Sequence, residues 1–228
     1  MKIILNKNVI IIFMIILLLS LVACNNNHSK KVIFTDIVLD DIAWDGEHLW
    51  GVNMEKSRLV KLDINTSEIL FNTELPIKCP QSICYSDDYF WITTCLGEIV
   101  KVSELGEYLE TTKIPGLSIG SADIKGIVFA KGKLFILNGY NILELDRDTY
   151  EIINKFEFPR RIYSGLSFNG EELVLLNSIG KLMFINLEYG YVSVEKKIEK
   201  SGIPIGITWD GEKFLIPIYS KKRIIIVK

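Results

Sequence analysis

The chain has 228 residues, and its 26 Lys and Arg residues against 28 Asp and Glu residues give a formal net charge of −2. This length suits one sizeable domain. Because no excess of positive charge is available to neutralise phosphates, the composition excludes nucleic acid as an expected partner. Val, Ile, Tyr and Phe are frequent and Ala is scarce, a composition that favours β-strands.

The beginning of the chain has the pattern of a secretion signal. Two lysines precede an apolar run, Val9 to Val22, whose length of about 14 residues is short for a bilayer span but typical of a signal-peptide core. The run ends in Leu21-Val22-Ala23-Cys24, which resembles the lipobox of bacterial lipoproteins. The resemblance implies cleavage before Cys24 and diacylglyceryl modification of its thiol. The alternative is an ordinary secretory signal with a chance cysteine.

We therefore expect residues 1–23 to be a lipoprotein signal peptide and residues 24–30 to be a flexible tether that begins with acylated Cys24. An acyl anchor contributes about 0.8 kcal/mol per buried CH₂, so two or three chains hold a protein durably on a membrane. The mature protein is predicted to lie on the extracytoplasmic side of the cell membrane, with the lipid bilayer as its partner through Cys24.

The body, residues 31–228, consists of five repeats. Each repeat has an aromatic residue, a tight polar turn such as Asp45-Gly46 or Asn169-Gly170, and an apolar residue that opens a second strand. Such dipeptides between apolar runs are strong hairpin signals. The aromatic residues are Trp44, Tyr85, Phe129, Phe168 and Trp209, and the apolar residues that follow them are Leu49, Phe90, Leu134, Leu173 and Phe214.

Two further apolar segments complete each repeat, and four short antiparallel strands in about 40 residues predict a β-propeller blade. The last repeat stops after its third strand, whereas residues 31–39 resemble a fourth strand that has no repeat of its own. We expect this strand to close the last blade, which gives an all-β, five-bladed propeller. The predicted blades are 41–75, 82–115, 124–158, 163–198, and 204–228 together with 31–39.

A closed ring of this kind leaves no long sheet edge exposed, so the chain is expected to be a monomer. A partial propeller that closes by dimerisation is the alternative.

In a propeller the loops that enter the first strand of each blade share one face with the loops between its second and third strands. The polar residues predicted there form the candidate ligand face: Asp40, Asp41, Gln81, Asp123, Lys125, Arg161, Tyr163 and Ser164 in the former loops, and Asn53, Asn138 and Asn177 in the latter. Short polar side chains at strand ends also bond to the backbone. The asparagines therefore have two interpretations, backbone partners or a polar ring around a ligand mouth.

No catalytic constellation stands out. Asp40 or Asp41 against Asp123 could supply the paired carboxylates of a glycosidase, but the chain lacks long loops to shape a sugar cleft. His48 lies beside a hairpin turn in a solvated position, so neither a catalytic triad nor a zinc site is predicted. We expect no catalytic residues, no metal and no cofactor.

Three cysteines remain after Cys24. Folding the second hairpin about its turn places Cys79 opposite Cys95, and a disulfide between them is plausible outside the cytoplasm. Cys84 aligns with small residues in the other repeats, which indicates a buried core thiol.

The recurring pattern, exemplified by Trp44-Asp45-Gly46 followed by Leu49-Trp50, resembles repeats of the glutamine-cyclotransferase-like and NHL/YVTN-like bacterial propellers. Glutaminyl cyclases of the propeller type carry a Phe-Thr-Gln-Gly-Leu motif, and the nearest segment here, Ile162-Tyr-Ser-Gly-Leu166, lacks the Thr-Gln pair. The favoured function is therefore a non-enzymatic binding or scaffold module for an envelope protein, a peptide or a glycan. An enzyme of glutaminyl-cyclase type is the alternative, ahead of a glycosidase or lactonase.

Overall fold

The computed structural model describes residues 32–117, 123–198, 202–219 and 222–228. Its sheets are five in number, and each has four antiparallel strands. The chain is therefore a five-bladed β-propeller, as the repeats predicted. The predicted signal peptide, the lipobox with Cys24 and the tether lie outside the described residues. Within the described ranges, no helix has the length and apolar character needed to cross a membrane.

The strands are numbered in chain order. The last blade begins the count with β1 (Val32–Phe34). Blade 1 has β2 (Asp41–Trp44), β3 (Leu49–Asn53), β4 (Arg58–Leu62) and β5 (Ile69–Glu74). Blade 2 has β6 (Pro80–Ser86), β7 (Tyr89–Thr94), β8 (Glu98–Val102) and β9 (Tyr108–Lys113). Blade 3 has β10 (Ile124–Ala130), β11 (Lys133–Asn138), β12 (Asn141–Leu145) and β13 (Ile152–Glu157). Blade 4 has β14 (Tyr163–Phe168), β15 (Leu173–Asn177), β16 (Lys181–Ile185) and β17 (Val192–Lys197). Blade 5 has β18 (Thr208–Trp209), β19 (Phe214–Ile218) and β20 (Arg223–Val227), to which β1 is added.

The ring closes through β1, as predicted. Val32 lies opposite Ile225, Ile33 opposite Ile224 and Phe34 opposite Arg223. Ile33 is buried, so that the first strand contributes to the core as well as to the backbone ladder. The N-terminal strand thereby covers the edge that β20 would otherwise expose.

The hydrophobic core consists of five clusters, and each lies between two neighbouring blades. Between blades 1 and 2, for example, the rings of Trp50 and Phe90 approach to 4.7 Å between centroids. The repeated aromatics pack at the margins of these clusters, as Trp44 and Tyr85 do. Each blade therefore covers the faces of its neighbours, which explains why one repeat alone could not form a stable sheet.

Tight turns at one end of each blade follow from the Asp-Gly and Asn-Gly pairs. Asp45 Oδ1 accepts the backbone N–H groups of Glu47 and His48, at 2.7 and 2.6 Å. Gly46 has a φ of 104°, a backbone conformation that favours glycine. We call the side of the ring with these turns the lower face. The upper face is the opposite side, where the inner strands begin.

Blade 5 has the least regular inner edge. Its inner strand, β18, has two residues. The corresponding β14 of blade 4 has six. Residues 203–205 are instead held to β19 by backbone hydrogen bonds, Ile205 N–H to Pro217 O at 3.1 Å and Tyr219 N–H to Ile203 O at 2.8 Å.

Candidate functional site

The inner strands begin at the upper face, where they surround a shallow cavity of about 210 Å³. We call this cavity the cup. Each blade contributes one lining residue from the same place in the repeat, four positions before the repeated aromatic. These residues are Asp40, Gln81, Lys125, Ser164 and Ile205. The fivefold geometry thus presents five different side chains, polar from blades 1 to 4 and apolar from blade 5.

One side of the cup has an apolar rim. Met54, Ile162, Ile203 and Tyr219 line it, and they come from blades 1, 4 and 5. Their exposed fractions are 41%, 75%, 53% and 54%, respectively. Large apolar side chains clustered around a concavity indicate a surface that is covered by a ligand or partner. The sequence did not lead us to predict this rim, because polar residues were the expected ligand contacts in these loops. The signal in the sequence was the occurrence of isoleucines in loops expected to be polar.

Asp40 has a specific structural role at the cup. In blades 2 to 5 the first residue after the second strand donates its backbone N–H to a carbonyl of the entering loop, as Ser178 does to Ile162 O at 2.9 Å. In blade 1 the equivalent Met54 N–H is bonded to Asp40 Oδ2 at 2.7 Å. Burial raises the pKa of Asp40, although the Met54 amide and the charge of Lys125 oppose that rise. The cup therefore contains a carboxyl group that binds protons more readily than an exposed aspartate does.

The other polar residues of the cup are partly engaged. Lys125 Nζ lies 2.9 Å from Asp123 Oδ1. Ser164 is buried, and Gln81 has a buried Oε1 for which the structure shows no hydrogen-bond donor. Tyr163, which also lines the cup, donates its hydroxyl to Pro159 O at 2.9 Å. The cup thus offers few free charges, and its binding capacity rests on shape and apolar contact.

Asp41 does not line the cup. It is 3% exposed, and its side chain points sideways between blades. Oδ2 accepts the backbone N–H of Ile83 in blade 2 at 3.1 Å, whereas Oδ1 faces Gly206 in blade 5 without a well-formed hydrogen bond. Burial raises the pKa of Asp41 to about 8, although the amides of Ile83, Ile42 and Ile207 and the Ser82 hydroxyl lower it.

The residues equivalent to Asp41 explain its environment. They are Ser82, Gly126, Gly165 and Gly206, three positions before the repeated aromatic. A Cβ atom added to Gly165 would lie 3.0 Å from the amide nitrogen of Ile207, so the inner strands of blades 4 and 5 approach closely. A carboxyl group therefore occupies a position that three of the five blades leave without a side chain.

The remaining residues of the predicted ligand face lie outside the cup lining. Asn53 Nδ2 donates to Val38 O, Asn138 Oδ1 accepts from the amide of Asp123, and Asn177 Oδ1 accepts from the amide of Lys181. These side chains bond to the backbone at the strand ends. Asp123 is paired with Lys125, and Arg161 is exposed.

The described cysteines lie apart from the cup lining. The structure has a disulfide between Cys79 and Cys95, with Cα atoms 5.7 Å apart, whereas Cys84 is a buried free thiol. Among the described residues, no group of three or more His, Cys, Asp or Glu side chains could hold a metal ion. Of the carboxyl groups considered for a glycosidase, Asp41 is buried, Asp40 accepts the Met54 amide, and Asp123 is paired with Lys125.

Comparisons with known proteins bear on the fold. Neither a protein-family model nor a curated protein matches the chain. The crystal structure of Myxococcus xanthus glutaminyl cyclase is similar over 88% of this chain and 92% of its own, with a TM-score of 0.69 and 11% identity. The β-propeller domain of Myceliophteria thermophila Cps50 (Swd1) is similar over 82% of each chain, with a TM-score of 0.52 and 12% identity.

These similarities show a β-propeller and nothing narrower. In total, 1611 solved chains are similar to this one, so the fold by itself does not select a function. The features that bear on function are the side chains that line the cup.

Proposed function

We propose that the chain is an extracytoplasmic lipoprotein whose propeller binds a peptide segment of another envelope protein in the cup. The observation that carries this proposal is the apolar rim of Met54, Ile162, Ile203 and Tyr219 around a concave axial mouth. A cavity of about 210 Å³ accommodates one or two side chains rather than a folded domain. A peptide that inserts an apolar side chain would cover the rim.

The rim favours a peptide segment over a folded envelope protein or a glycan. Three of its four members are aliphatic, and they contact an apolar side chain by burying area rather than by directional bonds. The ion pair of Lys125 with Asp123 at the polar side is available to backbone carbonyls and amides at the margin of such a segment. A scaffold role follows from the rigid ring, which holds the cup at a fixed place.

A display library of random peptides selected on the immobilised protein, residues 24–228, tests the binding site. Ile162→Asp places a charge at the most exposed rim position and should abolish recovery of the selected peptides. Leu105→Asp is the matched control, because Leu105 is 64% exposed and lies in a lower-face turn. Selected peptides that bind the Ile162 variant as well as the wild type would contradict the proposal.

Membrane anchoring belongs to the same proposal and has its own test. Expressed in bacteria, the full chain should incorporate labelled fatty acid and partition into detergent, and Cys24→Ser should abolish both. A wild-type chain that is secreted without label would contradict the anchor and leave the cup unaffected.

An enzyme of glutaminyl-cyclase type is the second candidate. It is favoured by Asp40, because burial raises the pKa of this cup carboxyl, the direction of change that general acid or base catalysis near neutral pH requires. The structural similarity to a glutaminyl cyclase supports it at the level of fold. Release of pyroglutamyl product from Gln-peptides that disappears in Asp40→Asn would establish this candidate, and absence of product from the wild type would exclude it.

A further inference from the structure

The inner segment of blade 5, residues 203–206, forms one wall of the cup and packs against Asp41. Ile203 and Ile205 line the cavity. A Cβ atom added to Gly206 would lie 2.3 Å from Asp41 Oδ1, so the carboxyl group and the segment are in direct contact. Displacement of this cup wall would therefore change the surroundings of the buried carboxyl group.

The segment is lightly held to its own blade. Its two backbone bonds to β19 precede a β18 of two residues. The equivalent part of blade 4 continues into a strand of six residues. Fewer ladder bonds lower the free energy of local opening, and such regions are where partial opening occurs first.

The surroundings of Asp41 are suited to a neutral carboxyl group. The segment against it, residues 202–207, contains no titratable side chain. The titratable groups beside it are the Cys84 thiol of β6, which senses the charge of Asp41, and the carboxyl of the adjacent Asp40, which in turn senses Lys125. Its partner across the β2–β3 ladder is Val52. No cation is among the groups that act on Asp41, and the amide and hydroxyl donors around it offset only part of the cost of burying its charge.

We infer that the proton on Asp41 keeps the segment 203–206 seated, and that the apolar wall of the cup opens more readily as this proton is lost. The wall is thus a proton-linked gate. Its consequence for ligand binding rests on the proposed function, whereas the gate itself is a property of the free protein.

Thermodynamic linkage fixes the direction and the slope of the pH dependence of opening. Burial raises the pKa of Asp41 to about 8 in the closed state. Opening of the segment relieves the burial, so the pKa of the carboxyl falls toward its ordinary value of 3.8. Opening therefore releases one proton, and the opening constant rises about tenfold per pH unit between these limits. Above the closed-state pKa the effect levels off.

Amide hydrogen exchange measured by NMR on the free propeller tests this gate, and the equivalent amides of Cys95, Gly139 and Ser178 provide the internal control. Tyr219 N–H, bonded to Ile203 O, reports the segment; Ser178 N–H, bonded to Ile162 O, is its counterpart in blade 4. Between pH 5.5 and 7.5, after correction for intrinsic rates, protection of Tyr219 should fall about 100-fold, while protection of Ser178 stays nearly constant.

Asp41→Asn, which cannot ionise, should give Tyr219 a protection that does not vary with pH. If that variant fails to fold, Asp41→Ser serves the same purpose, since blade 2 has Ser82 at the equivalent position. Equal slopes at Tyr219 and Ser178 in the wild type, or an unchanged slope in the variant, would overturn the inference. Neither outcome depends on a bound peptide, so a failure of the gate can be distinguished from a failure of the proposed function.

Discussion

Replacing Asp41 by Asn should stabilise the protein at neutral pH. The raised pKa of about 8, against the ordinary value of 3.8, means that folding keeps a proton on this carboxyl. At pH 7 the unfolded chain has lost that proton, and retaining it costs about 1.4 kcal/mol for each pH unit above 3.8. The cost at pH 7 is therefore roughly 4 kcal/mol, and Asn does not incur it.

The sign of this pH dependence of stability follows from the direction of the pKa shift of Asp41. Because the folded pKa is raised, the contribution of Asp41 is fully present below pH 3.8 and is lost as pH rises toward 8. Asn keeps a carbonyl oxygen to accept the Ile83 amide, so the two proteins should have similar stability at pH 4. The variant should then exceed the wild type by about 1.4 kcal/mol more with each pH unit, up to pH 8.

Urea denaturation of both proteins at pH 4, 5, 6, 7 and 8 measures this difference directly. A difference in free energy of unfolding that is independent of pH would refute the reasoning, because it would show that Asp41 is ionised in the fold. A stability advantage of the variant that shrinks as the pH rises would do the same.

Three further changes test the fold around the cup. Removing the disulfide with Cys79→Ala and Cys95→Ala frees a loop with a sequence separation of 16 and should lower the free energy of unfolding by about 3 kcal/mol; an unchanged urea midpoint would argue against the bond. Gly206→Ala places a methyl group against Asp41 and should cost about 1–3 kcal/mol, with partial recovery in combination with Asp41→Gly; equal costs in both backgrounds would exclude that contact. Ile33→Ala should cost about 2–5 kcal/mol because β1 closes the ring, as thermal denaturation can show; a loss below about 0.5 kcal/mol would mean that the ring holds without this strand.

The architecture could be predicted because the repeat carries local signals that agree with one another. Asp45-Gly46 and its equivalents specify hairpins, and the aromatic residue before each turn marks the packing between neighbouring blades. The missing fourth strand after Val227 and the orphan strand at Val32 matched each other, which led to the closure seen between β1 and β20.

The cup was predicted less completely, for a physical reason. The repeat register places Asp40 and Lys125 at the mouth of the cup, but it does not tell which way a side chain at the next position turns. Asp41 was expected on the ligand face and instead fills the gap opposite Gly206, because glycine in blade 5 leaves room there. That relation joins residues from the two ends of the chain, and only the closed ring brings them together.

The most direct test of the central claim, that the cup is the binding site, is site-specific photocrosslinking of the tethered protein in the cells that produce it. A photoreactive phenylalanine analogue replaces Tyr219 on the rim or Tyr189 on the lower face, residues that are 54% and 67% exposed. We predict a discrete adduct from position 219 that Ile162→Asp abolishes, and none from position 189. An adduct from position 189 alone, or one from position 219 that persists in the Ile162 variant, would contradict the account.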